Sequence, residues 1–423
     1  MNSRVSLLHC RYGAHLSKEQ AADLIAPHPR TLELVYSWLT HHGVPSSSVS
    51  MTHGGTTLTL NGVSVVQANA LLGTSYQLYR HVETNETTVR TVSYAVPAEL
   101  HELVETVAPT TFFPSPRHPP RKRSSGAASG LANSTLREHV TRIAGPNEDN
   151  GMPSILRRLY ATFAYTPTRM ENVLGIIGIR DEYPSEDDLT SFMHMFRSDG
   201  TDASYTPEEI NGGEYHPDHP SVNINSDVQY ATAMAYPTRL VFYSTGRGPE
   251  GTTDYLISWL RFILNQPTQN VPQTISMSYN VVENIVPPQY AAFVCRMFGV
   301  LGVRGVSVLF SSGDDGVGRG GCVTEDGGVQ FLPSFPASCT CGVFSRLGMP
   351  RCGSLTIVPC LCRSLGHCRR RNDGLQSRDR SESLRRRLLE HFSTPQLPVT
   401  GRAPLPSASR RQVSGHLQVR SSP

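Results

Sequence analysis

The chain has 423 residues, of which 38% are hydrophobic and 17% charged, a composition typical of a globular protein with two or three domains. Its longest apolar stretch, residues 291–310, is interrupted by Arg296 and Arg304, so no run of membrane-spanning length is present. The first ten residues are too short and polar to form a signal peptide. These features disfavour an integral membrane protein.

The formal charge of +3 is distributed unevenly along the chain. From residue 340 onward there are fifteen arginines, no lysine and four acidic residues, a balance of +11 that leaves −8 for residues 1–339. Six of the nine cysteines also lie at residue 339 or beyond it. The chain therefore divides into an acidic body and a strongly basic tail.

Residues 11–113 alternate helical and strand patterns, which predicts a compact α+β unit. Ser17 followed three residues later by Gln20 predicts a helix that begins with a capping box. The other predicted elements are helices over 31–42, 63–72 and 97–107 and strands over 56–60 and 88–94.

A linker is predicted over residues 114–150, because Pro, Ser and Gly predominate there and little apolar surface is available to bury. Its basic run at residues 121–123 has three interpretations: a nuclear signal or nucleic-acid patch, a processing site, or a solvated group of charges.

Residues 151–339 alternate strands and helices, a pattern that predicts a parallel sheet with right-handed crossovers. Ser185 and Asp188 predict a capping box at the start of one helix. The predicted strands are 173–179, 238–244, 274–278 and 306–310, and the helices are 185–197, 227–236, 253–265 and 289–301.

The last of these strands ends in Ser312-Gly-Asp-Asp-Gly316. Ligands bind at the carboxyl ends of strands in open α/β sheets, and the flanking glycines let backbone approach a substrate closely beside Asp314. The alternative is an ordinary turn between a strand and a loop, in which Asp315 is a solvated residue.

Several segments together resemble one family in their order and spacing. They are residues 11–20, 173–179, 227–230, 275–279, 312–316 and 331–339. The family is that of the sedolisins, or serine-carboxyl peptidases, in particular the fungal secreted tripeptidyl-peptidases. The resemblance implies an activation prosegment-like α+β domain over 1–113, the linker over 114–150 and the front part of a subtilisin-like parallel α/β domain over 151–339.

The family's chemistry uses a serine nucleophile, a glutamate base, an aspartate that orients the base and an aspartate in the oxyanion hole. By resemblance, Asp314 matches the oxyanion-hole aspartate and Asp227 the orienting one. The base position, four residues before Asp227, is Asn223, whose amide has no useful basicity. Glu214 and Asp218 lie nearby in sequence, but not on the same helix face.

Two further family features have no counterpart. The only Gly-Thr-Ser motif is Gly73-Thr-Ser75, which falls in the prosegment-like unit, so no nucleophile is identified. The sequence also shows no candidate ligands for the calcium ion that the family binds. The resemblance thus implies a secreted, monomeric zymogen acting on peptides or proteins at acid pH, whereas this chain, truncated at both ends, is predicted to be inactive. A pseudoprotease that binds without cleaving is the alternative.

The tail over 340–423 is predicted to be irregular, basic and non-homologous, as after a frameshift or a retained intron. An arginine-rich segment that binds nucleic acid is the alternative, which the scarcity of aromatic residues disfavours. The pairs Cys339/Cys341 and Cys360/Cys362 fit no common zinc spacing.

Two cysteines flank the loop after Asp314. A disulfide between Cys322 and Cys339 would suit a secreted domain, and two free buried thiols are the alternative. Cys295, on the apolar face of its helix, is predicted to be a core residue.

Overall fold

The computed structural model describes residues 13–113 without 53 and 83, 153–179 without 169 and 170, 181–246, 254–311, 313, 332–339, 343–344, 392–393 and 412–419. Most of them form two units, an α+β unit over 13–113 and an α/β unit that begins at residue 153. The predicted linker over 114–150 and most of the tail lie outside the described residues.

Three helices belong to the first unit: α1 Lys18–Ile25, α2 Pro29–His41 and α3 Val65–Leu72. The capping box predicted at α1 is confirmed, because Ser17 Oγ accepts the Gln20 N–H and the Gln20 side chain accepts the Ser17 N–H. The helix predicted from residue 63 begins two residues later, since residues 63 and 64 end a strand.

The strands of the first unit are β1 Val49–Thr52, β2 Thr57–Ser64, β3 Gln77–His81, β4 Thr87–Arg90 and β5 Val104–Ala108. The helix predicted over 97–107 is wrong. A single 3-10 turn over 98–100 is followed by β5, whose sequence Val-Glu-Thr-Val-Ala is rich in β-branched residues and pairs with another strand.

Five parallel strands form the sheet of the second unit, which confirms the predicted architecture. They are β6 Val173–Ile179, β7 Tyr205–Ile210, β8 Arg239–Thr245, β9 Thr274–Met277 and β11 Ser307–Phe310, in the spatial order β11-β9-β6-β8-β7. A short strand, β13 Val343–Phe344, continues the sheet beside β11. The pair β10 Val281–Val282 and β12 Ser334–Phe335 is antiparallel.

The helices of the second unit are α4 Pro153–Leu159, α5 Glu186–Phe196, α6 Val222–Ala235, α7 Tyr255–Asn265 and α8 Pro288–Val303. They follow the predicted alternation, although α6 begins five residues earlier than predicted and β7 was not predicted. β7 pairs only with β8 in the described sheet, an edge position that tolerates its proline.

The start of α5 differs from the predicted capping box. Ser185 Oγ accepts the Asp188 N–H at 3.2 Å, but the reciprocal bond is made by a residue of α6. Asn225 Oδ1 accepts the Ser185 N–H at 3.1 Å, and Asn225 Nδ2 donates to Asp188 Oδ2 at 2.6 Å. The amide can donate and accept at once, so it satisfies both helix-end groups and fixes α5 against α6.

The two units share one apolar core, to which Ala21, Ile25, Ala108 and Phe112 contribute from the first unit. Polar contacts reinforce it. The Leu16 N–H donates to the Val303 carbonyl at 2.8 Å, the Lys18 ammonium donates to the Asn265 carbonyl, and Arg296 forms an ion pair with the nearly buried Glu105.

Two strands of the basic tail join the first unit, which departs from the irregular tail that was predicted. β14 Phe392–Ser393 pairs with β3, and β15 Gln412–Val419 lies antiparallel between β2 and β5. The backbone N–H and C=O groups of β2 and β5 need hydrogen-bond partners, and β15 supplies them.

Candidate functional site

Helix α6 brings together the two residues predicted to stand at the base and orienting positions. Asn223 lies in its first turn and is exposed, and Asp227 lies one turn further along and is partly buried. The adjoining face of α6 packs against α5 and the sheet through Ile224 and Val228. The four-residue spacing therefore places both side chains on the outer face of the helix, as the sequence predicts.

The start of α6 is anchored at the end of the sheet where the parallel strands finish. The Ser221 N–H, at the helix cap, donates to the Tyr183 carbonyl at 2.9 Å, and Tyr183 follows the carboxyl end of β6. The Asn225 amide adds the contacts to α5 described above. This end of the helix thus has a defined position beside the strand ends, where substrates of α/β proteins bind.

The two carboxylates near Asn223 in sequence have histidine partners. Glu214 Oε2 lies 2.8 Å from His216 Nε2, and this hydrogen bond raises the pKa of His216. Asp218 Oδ2 lies 3.6 Å from His219 Nε2. The Glu214 side chain is 72% exposed and belongs to the loop after β7, which agrees with its exclusion from the α6 face.

Asp314 lies outside the described residues, but the turn that leads to it is partly described. The Ser311 N–H donates to the Met277 carbonyl at 3.1 Å, and the Asn280 amide donates to Ser311 Oγ at 3.2 Å. Gly313 has φ +85°, and a Cβ there would lie 3.2 Å from Asn280 Oδ1. Asn280, which sequence analysis missed, therefore lies against the turn directly before Asp314 and binds it through the Ser311 side chain.

The Gly-Thr-Ser motif is a structural part of the first unit. Gly73 ends α3 in a left-handed conformation, and Thr74 Oγ1 lies 2.5 Å from Thr91 Oγ1. Ser75 is exposed beside them. These contacts favour the interpretation of Ser75 as a chance match to a nucleophile motif.

The predicted disulfide between Cys322 and Cys339 is corrected by the structure, in which Cys339 is bonded to Cys295. The Cα atoms of Cys295 and Cys339 are 5.2 Å apart, because α8 packs beside residues 332–339. Cys295 is thus partly buried against the core, as predicted, but not as a free thiol. Cys339 cannot be a metal ligand, and Cys322 lies outside the described residues.

A buried carboxyl lies where the two units meet. Asp254 caps α7 by accepting the Ile257 N–H at 2.9 Å, and its two oxygens accept the Tyr290 hydroxyl at 3.0 and 2.9 Å. Burial raises the pKa of Asp254, which the Ile257 N–H and the charge of Arg90 partly oppose. Asp254 and Tyr290 border a cavity of about 530 Å³ that residues 104–112 also line.

The tyrosine ring continues the contact between the units. Tyr290 packs on Phe112 with ring centroids 4.8 Å apart, and the Phe112 carbonyl accepts Arg90 Nε at 2.7 Å. Sequence analysis missed this group, and only the N-cap pattern of Asp254 before α7 could have indicated part of it.

Comparison with known proteins finds tripeptidyl-peptidases among the relatives of this chain. The probable tripeptidyl-peptidase SED4 of Arthroderma benhamiae is 32% identical over 352 residues, covering 78% of this chain and 56% of that protein. The tripeptidyl-peptidase SED2 of Arthroderma otae is 30% identical over 355 residues, covering 78% and 57%. The family described as pro-kumamolisin, activation domain, matches residues 4–113. The chain belongs to the sedolisin family.

This sedolisin spans less than two thirds of the length of the curated relatives it matches. A solved structure of Pseudomonas sedolisin, a serine-carboxyl proteinase complexed with two molecules of pseudo-iodotyrostatin, is 20% identical. It covers 46% of this chain and 52% of that chain with a TM-score of 0.34.

The described residues of this sedolisin do not fit the calcium that its family implies. Within the described ranges, no group of three or more His, Cys, Asp or Glu side chains could hold a metal ion. None of the helices in the same ranges has the length and apolar character needed to cross a bilayer.

Proposed function

We propose that this sedolisin-family chain binds peptides in the manner of a tripeptidyl-peptidase but does not cleave them by the family's route. The observation that supports this proposal is Asn223, which we assign to the base position on α6, one helical turn from Asp227. The relatives are named tripeptidyl-peptidases, so the substrate class we propose is a peptide or protein with a free N-terminus.

The chemistry of an amide explains the loss of turnover. A serine hydroxyl attacks a peptide carbonyl only when a base removes its proton, and an amide oxygen is too weak a base for that step. An aspartate in the orienting position can still hydrogen-bond to the Asn223 amide, but the amide that it would orient cannot take the serine proton. Asp314, which we assign to the oxyanion hole, would stabilise a charge that does not develop.

The same proposal covers location, cofactor and assembly. We assign the chain to an extracellular compartment, which the Cys295–Cys339 disulfide supports because such bonds persist under oxidising conditions. Calcium belongs in this proposal to the complete catalytic domain of the family and not to the residues described here. We propose a monomer without nucleic acid as a partner.

Turnover and binding are tested separately with the full chain. An Ala-Ala-Phe substrate with a fluorogenic leaving group is incubated at pH 3 to 7 with the wild type and with the Asp227→Ala and Asn223→Glu variants. No turnover is expected from any of them. Acid-dependent release by the wild type that Asp227→Ala abolishes would overturn the loss of activity and support a working peptidase.

Binding is measured by calorimetry with an uncleaved Ala-Ala-Phe peptide and with the same peptide acetylated at its N-terminus. Preference for the free N-terminus supports the proposed substrate class. Equal binding of both peptides, or none, would reject the binding role. Steeply salt-dependent binding of RNA would instead support the arginine-rich tail as the functional part.

A further inference from the structure

We propose that β15 is a strand latch, which holds the activation unit to the rest of the chain after the linker has been cut. The proposal is independent of the proposed peptide binding, because it concerns only how residues 412–419 join the first unit. It assigns to this segment a partner within the same molecule, the slot between β2 and β5.

The position of β15 in the sheet is the first argument. The order of the strands is β1-β2-β15-β5, so within the described residues β5 joins this sheet only through β15. Without β15, one edge of β2 and the facing edge of β5 would expose unpaired N–H and C=O groups inside the unit. Such edges accept another strand readily.

The register of β15 is the second argument. Leu417 lies opposite Leu58 on one side and Val107 on the other, and both of these partners are buried in the core of the unit. The neighbouring position, His416, lies opposite Thr59 and Ala108. The pairing of β15 with β2 and its pairing with β5 therefore hold at the same positions, so a single backbone register of β15 serves both neighbouring strands.

The third argument is that β15 comes from a part of the chain far from the unit that it joins. The activation-domain family matches residues 4–113, whereas β15 comes from the opposite end of the chain, after the whole α/β unit. The first unit is therefore connected to the second through the linker and again through β15. A single cut between residues 114 and 150 would leave the second connection intact.

Direct contacts between the two units also hold them together, and these contacts depend in part on β15. The Glu105–Arg296 ion pair and the packing of Phe112 on Tyr290 connect β5 and its following residues to α8. Glu105 belongs to β5, the strand that β15 holds in the sheet. Loss of β15 would thus loosen the element from which these contacts are made.

The first experiment tests the register by cysteine cross-linking in the full chain. Thr59→Cys is combined with His416→Cys, its direct partner in the ladder, and in the control with Leu417→Cys, which is paired with Leu58 instead. Peptide mapping without reduction should recover the 59–416 cross-link at least tenfold more often than the 59–417 one. Equal recovery, no cross-link, or a cross-link from Thr59→Cys to Cys10 would overturn the latch, the last by identifying the N-terminal segment as the occupant.

The second experiment tests the latch itself. A site-specific protease sequence is inserted after Ser125, the chain is cut, and the fragments are analysed by size-exclusion chromatography. The two fragments should elute together, and Leu417→Pro should make them dissociate at least tenfold faster, because proline breaks the ladder of a central strand. Ser421→Pro, beyond the strand, is the matched control.

Two results would refute the latch. The fragments of the wild type could separate at once, or Leu417→Pro could leave them associated as firmly as Ser421→Pro does. If Leu417→Pro fails to fold, the cross-linking experiment decides, since neither of its variants breaks the strand.

Discussion

The buried carboxyl of Asp254 is expected to make the stability of this protein depend on pH. Its side chain is 5% exposed and accepts hydrogen bonds from Ile257 N–H and from the Tyr290 hydroxyl. Burial raises the pKa of Asp254 above its ordinary value, and the charge of Arg90 opposes this only in part. The folded protein therefore holds this proton more tightly than the unfolded chain does.

The sign and size of the effect follow from that difference. The stabilisation is fully present below the unfolded pKa, near 3.8, and is lost as the pH rises through the raised folded pKa. Between these values the contribution of Asp254 to the free energy of unfolding falls by about 1.4 kcal/mol per pH unit. Asp254→Asn keeps an oxygen for the Ile257 N–H but cannot ionise. We expect this variant to gain stability relative to the wild type as the pH rises.

The assay is urea unfolding between pH 3.5 and 7, followed by the fluorescence of Trp259, which is buried in α7. Asp254→Ala is the matched control. It removes the helix cap, at a cost of about 1 kcal/mol, and leaves the Tyr290 hydroxyl without an acceptor, at a cost of about 1–3 kcal/mol. It should therefore be less stable than Asp254→Asn at every pH. A difference between the wild type and Asp254→Asn that does not change with pH would refute the raised pKa.

Three further predictions concern other parts of the molecule. Peptide mapping without reduction should recover Cys339 bonded to Cys295, and Cys295→Ser should lower the free energy of unfolding by about 2–4 kcal/mol; recovery of Cys339 with another cysteine would contradict this. Gly313→Ala should cost about 1–2 kcal/mol in urea unfolding, because its φ is +85° and its new Cβ would crowd the Asn280 amide. Gly302→Ala, in α8 with open space around the new Cβ, should not lower the free energy of unfolding. If Gly313→Ala and Gly302→Ala lowered it equally, the positive φ of Gly313 would be refuted as the cause. A chelator should leave the melting temperature unchanged within about 1 °C, whereas a rise on adding calcium would reveal a bound ion.

Elements whose signals are local were predicted correctly. The capping box of α1 involves Ser17 and Gln20, three residues apart, and both bonds form within one turn. The run over 173–179 is apolar throughout, which suits a strand covered on both faces, and it becomes β6. The spacing of Asn223 and Asp227 likewise needs only the period of a helix.

Elements that depend on partners distant in the sequence were not predicted correctly. Residues 104–108 form β5 where a helix was predicted, because the strand is completed by pairing with β15, from the other end of the chain. Asp188 was expected to close its own capping box, but Asn225, on the next helix, supplies the bond instead. In both places a tertiary partner overrides the local pattern.

The sequence by itself determined the alternation of strands and helices after residue 153, apart from β7, together with the parallel sheet and the amide at position 223, because these follow from residue type and short spacings. Only the tertiary structure decided the partner of Cys339, the burial of Asp254 beneath Tyr290 and the place of β15 between β2 and β5. Each of these contacts joins residues far apart in the chain. Their proximity arises from packing, which sequence spacing does not encode.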